Sequence, residues 1–359
     1  MIPVHVLGAR GLLAGEFLRL IASHPELELG GAYVRGTPAS PCLGSVHPHL
    51  PPELAARELA PVEDLVPQLL AQFEDDDRGA ILLLALPHGA SAPWWSEHRD
   101  ELTPLMPALR VVDLSADFRL QGAASYEAAY DAPHACPDEL GAWTYGLPEL
   151  HPVQTGDVRI AAPGCFATAL QIATLPFVRA GMLDGQRPWI VSGVTGSSGS
   201  GAVPRAGTHH PHRAVDFHAY SLAGHRHEAE LLAPRNFPDQ AAPVVDFTPH
   251  SAPMGRGIHL HGVLPLAAPA EGRADPGQVL DSFCEPLAFV QAVPHAPHVR
   301  HVAGSNRMQL HAYERAGSLH VLAALDNTLK GGAGQALQCI NLSLGWPETT
   351  GLPTAALGY

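Results

Sequence analysis

The chain has 359 residues, which at about 150 per domain predicts two domains, and its 46% hydrophobic content is enough for a sizeable core. Its 21 basic against 35 acidic residues leave a net charge of −14, which repels phosphate backbones and anionic lipid, so neither nucleic acid nor a membrane is expected as partner. No apolar run approaches the roughly 18 residues of a membrane span and the first residues lack the pattern of a signal peptide, so a cytoplasmic protein is expected.

Val4 to Leu7, then Gly8-Ala9-Arg10-Gly11, then apolar Leu13, Phe17, Leu20 and Ile21 read as strand, glycine turn and helix. Leu27 to Val34 follows the His24-Pro25 break as a second strand. Ala80 to Leu86 is a continuous apolar run of the buried parallel type, and Leu109 to Leu114 makes a fourth strand. Strands alternating with helical stretches predict a Rossmann-type doubly wound parallel sheet over residues 1–155. Beyond it, Arg187 to Val194, Val244 to Thr248, Gly257 to Leu264, Met308 to Tyr313 and Leu319 to Leu325 lack regular crossover helices. They predict an α+β domain with a mostly antiparallel sheet over 156–328. A glycine turn at Gly331, Gly332 and Gly334 then opens an amphipathic helix with Ala336, Leu337, Ile340 and Leu344 on its apolar face, within a segment, 329–359, that returns to the first domain.

Gly8, Gly11 and Ala14 form G-x-x-G-x-x-A between strand and helix, where glycine lets the backbone approach a pyrophosphate on the helix N-terminus. The alternative is a glycine-rich turn that binds nothing. At the end of the second strand an NAD site normally carries Asp or Glu, whereas this chain has Arg35, which suits a 2′-phosphate and hence NADP(H).

Five cysteines, Cys42, Cys136, Cys165, Cys284 and Cys339, are odd in number and form no CxxC pair, which argues against disulfides or a zinc ribbon. Cys165 follows a Pro163-Gly164 turn and opens an apolar-periodic segment, so its thiol sits at a helix N-terminus, where the dipole lowers a thiol pKa. That is the setting of a nucleophile, and the other four read as inert. Gly224-His225-Arg226-His227-Glu228 is the densest polar cluster and supplies histidine for acid/base work. In a chain with 22 histidines a solvated surface cluster is the competing reading. His209, His210 and His212 invite a metal, yet no HExxH or Cys/His zinc spacing accompanies them and Pro211 interrupts the run, so no metal is expected. Lys330 is the chain's only lysine, with either a functional role or plain solvation open to it.

Together with these motifs, Ala85-Leu86-Pro87-His88-Gly89, Asp113-Leu114-Ser115-Ala116-Asp117-Phe118-Arg119, Tyr145-Gly146-Leu147-Pro148-Glu149, Asp326-Asn327-x-x-Lys330-Gly331 and Gly345-Trp346-Pro347-Glu348-Thr349 occur in order over nearly the whole chain. In them the chain resembles the N-acetyl-gamma-glutamyl-phosphate reductases of arginine biosynthesis. Closely similar motifs occur in the sister enzymes that reduce carrier-protein-bound aminoadipyl phosphate in lysine biosynthesis.

The resemblance implies an NADP-binding domain, a catalytic and dimerisation domain forming a homodimer or homotetramer, and reductive dephosphorylation of an acyl phosphate to an aldehyde with release of inorganic phosphate. It implies Cys165 as nucleophile forming a thioester, His225 as acid/base, and His227, Arg119 and Arg226 near the substrate. Cofactor contacts are implied at Gly8, Arg10, Gly11, Leu12, Leu13, Arg35, Pro87, His88, Ser115 and Asn327. The sequence departs from the family pattern at Arg10, Leu12 and Ala14, and at Ala167-Thr168 after the thiol. The net charge favours a small free acyl phosphate over a substrate on an acidic carrier, unless Arg205, Arg213 and Arg226 form a local basic patch. Two readings from other classes stay open: a non-catalytic NADP-binding redox sensor and a metallohydrolase built on the histidines.

Overall fold

The computed structural model describes residues 1–36, 42–75, 78–267 and 272–358. The chain separates into two compact units, Met1–Pro163 with Gly332–Leu352, and Gly164–Gly331 with Pro353–Tyr359.

The first unit is built on seven strands: β1 (Ile2–Leu7), β2 (Leu27–Val34), β3 (Ala60–Pro61), β4 (Ala80–Leu84), β5 (Leu109–Asp113), β6 (Thr144–Tyr145) and β7 (Arg159–Ala161). They lie in the order β3-β2-β1-β4-β5-β7-β6, and every pair is parallel. All five residues of β4 are buried, as a central strand covered on both faces demands. The strand order reverses between β1 and β4, and in such sheets ligands bind at the carboxyl ends of the strands beside that point. The fold class expected from the sequence is therefore present. The apolar run at Ala80 ends as a strand at Leu84, two residues early, because Leu86 already leads into Pro87. Strands β3, β6 and β7 have two or three residues each, too few for any periodicity to announce them.

The second unit also carries seven strands, β8 (Trp189–Thr195), β9 (His218–Ala219), β10 (Val245–Ser251), β11 (Ile258–Pro265), β12 (Val290–Ala292), β13 (Met308–Arg315) and β14 (Ser318–Leu325). Their order is β12-β13-β14-β11-β8-β10-β9. Pairing is antiparallel except for β8 with β10 and β12 with β13. The helix Cys165–Arg179 packs on β11 and β14, and every residue from Phe166 to Phe177 is buried. Gly193 of β8 leaves the space that Phe166 and Phe247 fill, since a Cβ there would lie 2.5 Å from the Phe166 ring.

The last helix, Gly334–Ser343, belongs to the first unit and corrects one expectation. It is buried almost all round rather than amphipathic. Its polar residues are held by hydrogen bonds instead of water: Gln335 donates to the Gly146 carbonyl at 2.9 Å, Gln338 to Glu149 at 2.9 Å, and Asn341 to the Thr350 carbonyl at 2.9 Å. Among the described residues no helix is long and apolar enough to cross a membrane.

Candidate active site

In the first unit, β1 runs into Gly8 at φ +87°, a left-handed conformation that favours glycine, and a Cβ there would stand 2.5 Å from the Ala85 carbonyl oxygen. The turn is therefore closed to any side chain at that position. The amides of Gly8 and Ala9 both donate to the Tyr33 carbonyl, and Gly11 donates to Gly8. The helix Leu12–Ile21 then starts on Gly11 with no side-chain cap and no acidic residue in its first turn. The amides of Arg10, Leu12 and Leu13 have no backbone acceptor among the described residues. This donor cradle at a helix start fits the pyrophosphate of a dinucleotide. Arg35 is exposed one residue past β2, two residues after the Tyr33 carbonyl that anchors the turn. Arg10 is also exposed. Its companion in the turn is a residue that the sequence reading missed, His47, whose Nε2 donates to the Ala9 carbonyl at 2.7 Å.

Pro87 and His88 are exposed past the end of β4, and their loop is held by the Asp117 carboxylate, which accepts from the amides of Gly89 at 2.7 Å and Ala92 at 2.9 Å. Ser115 is fully buried; its hydroxyl donates to Asp113 at 2.7 Å and accepts from the Asp117 amide. Burial, reinforced by the charge of Asp117, pushes the Asp113 carboxyl up to about 6. Arg119 is buried, with Nε on the Ala162 carbonyl at 2.7 Å and Nη2 on that of Leu114 at 2.9 Å. The motif from Asp113 to Arg119 is thus a network that ties the ends of β4, β5 and β7 together.

In the second unit Cys165 is the first residue of the helix Cys165–Arg179, capped by Gly164 without a side-chain bond. The Gly164 amide donates to the fully buried Glu230 carboxylate, at 3.1 and 3.3 Å to its two oxygens. A Cβ on Gly164 would lie 2.4 Å from Nε2 of His227, so that imidazole rests directly on the glycine. A Cβ on Gly331 would come within 2.7 Å of the Cβ of Cys165. Both glycines are therefore required by close packing around the thiol.

Gly224, at φ +116°, turns the chain into the histidine pair. The His225 amide donates to Glu228 at 2.5 Å, and Nδ1 of His225 accepts from the His227 amide at 3.2 Å. With Nδ1 an acceptor, the neutral His225 ring carries its proton on Nε2. Burial, with a smaller contribution from the Arg226 charge, lowers its pKa to about 4. The ring lies among Phe166, Tyr220 and Phe247, with His227 edge-on at 4.6 Å between centroids. Burial raises the pKa of Tyr220, and the Cys165 thiolate, once formed, would raise it further. Arg226 is exposed.

Asn327 is buried, its Oδ1 accepting from the Gly257 amide at 2.6 Å and its Nδ2 donating to Ser198 at 3.0 Å. Next to it, Asp326 accepts from the Gly304 amide and pairs with Arg256 at 2.8 Å. Lys330 is 0% exposed, with Nζ 5.7 Å from the Phe289 ring centre, so it is no solvated lysine. Among the described residues, no three His, Cys, Asp or Glu side chains are grouped to hold a metal ion.

The family model "Semialdehyde dehydrogenase, NAD binding domain" matches residues 3–157, and "Semialdehyde dehydrogenase, dimerisation domain" matches 165–327. Fold and turn thus define an enzyme class, the nicotinamide-dependent oxidoreductases. An N-acetyl-gamma-glutamyl-phosphate reductase of Corynebacterium aurimucosum is 35% identical over 99% of both chains. A putative LysW-L-2-aminoadipate 6-phosphate reductase of Thermomicrobium roseum is 36% identical over 98% of this chain and 97% of its own. The fold is that of an aspartate semialdehyde dehydrogenase II from Vibrio cholerae, with a TM-score of 0.64 at 16% identity over 95% of this chain and 98% of the other. The chain belongs to the semialdehyde dehydrogenase family and, within it, to the family of the N-acetyl-gamma-glutamyl-phosphate reductases, the family its motifs resemble.

Proposed function

We propose that this protein is an NADPH-dependent reductase that converts N-acetyl-gamma-glutamyl phosphate to N-acetylglutamate semialdehyde and phosphate in arginine biosynthesis. The carrying observation is a cysteine at the start of a buried helix with an imidazole resting on its capping glycine, in a chain 35% identical over 99% of its length to a reductase of that name. Thiolate attack by Cys165 on the acyl carbon expels phosphate and leaves a thioester, so that one difficult hydride displacement of phosphate becomes two easier steps. NADPH, when bound, supplies the hydride that converts the thioester to aldehyde and frees the thiolate.

The remaining roles are carried by the histidine pair. The resemblance implies proton exchange at His225, but its Nδ1 is an acceptor for the His227 amide and its pKa is lowered to about 4. Such a ring serves better as a neutral Nε2 donor to the developing oxyanion, alongside the Cys165 amide. Proton exchange then belongs to His227, whose Nε2 lies against Gly164. Arg35 would pair with the 2′-phosphate, and Arg10, Leu12 and Leu13 would hold the pyrophosphate through their amides. The dimerisation-domain match supports an oligomer, which we read as a homodimer or homotetramer.

A free acyl phosphate is favoured over a carrier-bound one. Of the three arginines that could form a basic patch, Arg213 is buried, with its guanidinium on the Asp216 and Ala252 carbonyls, which leaves Arg205 and Arg226 exposed. The test offers the purified protein phosphate, NADP and either N-acetylglutamate semialdehyde or a carrier-linked aminoadipate semialdehyde. Faster NADPH formation with the carrier-linked aldehyde would move the assignment to the lysine route.

A further inference from the structure

We infer that His47 is a positioning residue for the dinucleotide, acting through the backbone of the Gly8 to Gly11 turn. The inference rests on the nicotinamide dinucleotide reading of that turn. The imidazole is 6% exposed, and its Nε2 meets a carbonyl, Ala9, which can only accept; the proton of this 2.7 Å bond is therefore on Nε2. The peptide bond after Ala9 is trans, so its carbonyl and the Arg10 N–H point in opposite directions within one plane. Holding the Ala9 carbonyl on His47 thus aims the Arg10 amide away from His47. That amide matters because the neighbouring donors are taken: Gly8 and Ala9 by Tyr33, and Gly11 by Gly8.

The chain supports this clasp from both sides. On the helix, a Cβ at Gly15 would come within 2.4 Å of Nδ1 of His47, so glycine in the second turn is what admits the ring. On the other side the His47 amide donates to Leu43 at 2.7 Å, and Leu43 and Leu50 are both buried, which anchors the segment that brings the ring in. Desolvation lowers the pKa of His47, in keeping with a neutral ring donating from Nε2.

The test measures NADPH affinity by nucleotide fluorescence, together with KM and kcat, in His47→Leu, His47→Gln and Gly15→Ala. The loss of one well-placed donor predicts a rise in the NADPH dissociation constant of about tenfold in His47→Leu. Gln, which can donate to the same carbonyl, should recover most of it. Gly15→Ala should weaken NADPH similarly, although alanine favours a helix over glycine. Combined with His47→Ala it should add little beyond His47→Ala alone, because the two residues act through one contact. In all of them kcat at saturating NADPH and alkylation of Cys165 by iodoacetamide stay at the wild-type level, which a general loss of folding would not allow. A wild-type protein that binds NADPH while His47→Leu binds it equally well overturns the inference alone. A wild-type protein that binds neither NADPH nor NADH overturns the cofactor reading and the inference with it.

Discussion

Two helices of this protein begin in the same way and are proposed to do different chemistry. Leu12–Ile21 starts on Gly11 at φ −69°, ψ 150°, and Cys165–Arg179 on Gly164 at φ −69°, ψ 149°; each follows a strand and neither has a side-chain cap. Both therefore present a positive dipole end. At the first, neighbouring segments bring a backbone carbonyl, Ala85, against Gly8 and an imidazole onto Ala9, and the amides of Arg10, Leu12 and Leu13 have no backbone acceptor among the described residues. At the second, the neighbours are a buried carboxylate on the Gly164 amide and an imidazole over its Cα, and the first helical residue is itself a thiol. The local backbone makes an electropositive helix start, and in the proposed reading the tertiary neighbours decide whether it binds or reacts.

Cys165→Ser breaks the comparison most severely. A hydroxyl of far higher pKa should reduce turnover by about a thousandfold or more while NADPH binding, read by nucleotide fluorescence, is retained. Appreciable residual turnover would reject the thioester route.

Alanine at the two crowded glycines sharpens the contrast. Gly164 has an ordinary φ, so Gly164→Ala acts only through collision with the His227 ring; overpacking of this kind costs about 1–3 kcal/mol, and activity should fall with NADPH affinity unchanged. Gly8→Ala carries both a positive φ and the Ala85 clash and should lose NADPH while Cys165 still alkylates. If each variant damaged the other function, the division of labour between the two helix starts would be wrong.

Arg35→Ala should shrink the preference for NADPH over NADH by about tenfold or more, since a charge-assisted hydrogen bond contributes about 1.5–3 kcal/mol. An unchanged ratio of kcat/KM values would shift the specificity to Arg10. For the histidine pair, His227→Asn should flatten the pH dependence of kcat and His225→Asn chiefly lower kcat without reshaping the profile. The opposite pattern would restore proton exchange to His225.

The smallest effect expected is on stability. His225 in the folded chain has a pKa of about 4 against an ordinary 6.5, so between those values the unfolded chain binds more protons. Its contribution therefore erodes as pH falls from about 6.5 towards 4. In urea titrations across that range His225→Asn should lose less stability than the wild type; parallel pH dependences would show that His225 is no drain on stability in acid.

What the sequence determined by itself is whatever depends on residues near one another in the chain. The strand, glycine turn and helix at Val4 to Ile21, the thiol after Pro163-Gly164, the turn before the histidine pair and the long strands of both sheets all follow from local backbone preference and periodicity. What only the tertiary structure decided depends on residues distant in sequence. His47 was one histidine among 22 until the fold laid it on Ala9. Glu230 reaches the Gly164 amide from 66 residues away. The last helix looked amphipathic because Gln335, Gln338 and Asn341 are polar, yet partners at Gly146, Glu149 and Thr350 let it be buried. The reason is the same in each case: hydrogen bonding and desolvation are set by which groups the fold brings together, and that is settled only when the chain has folded.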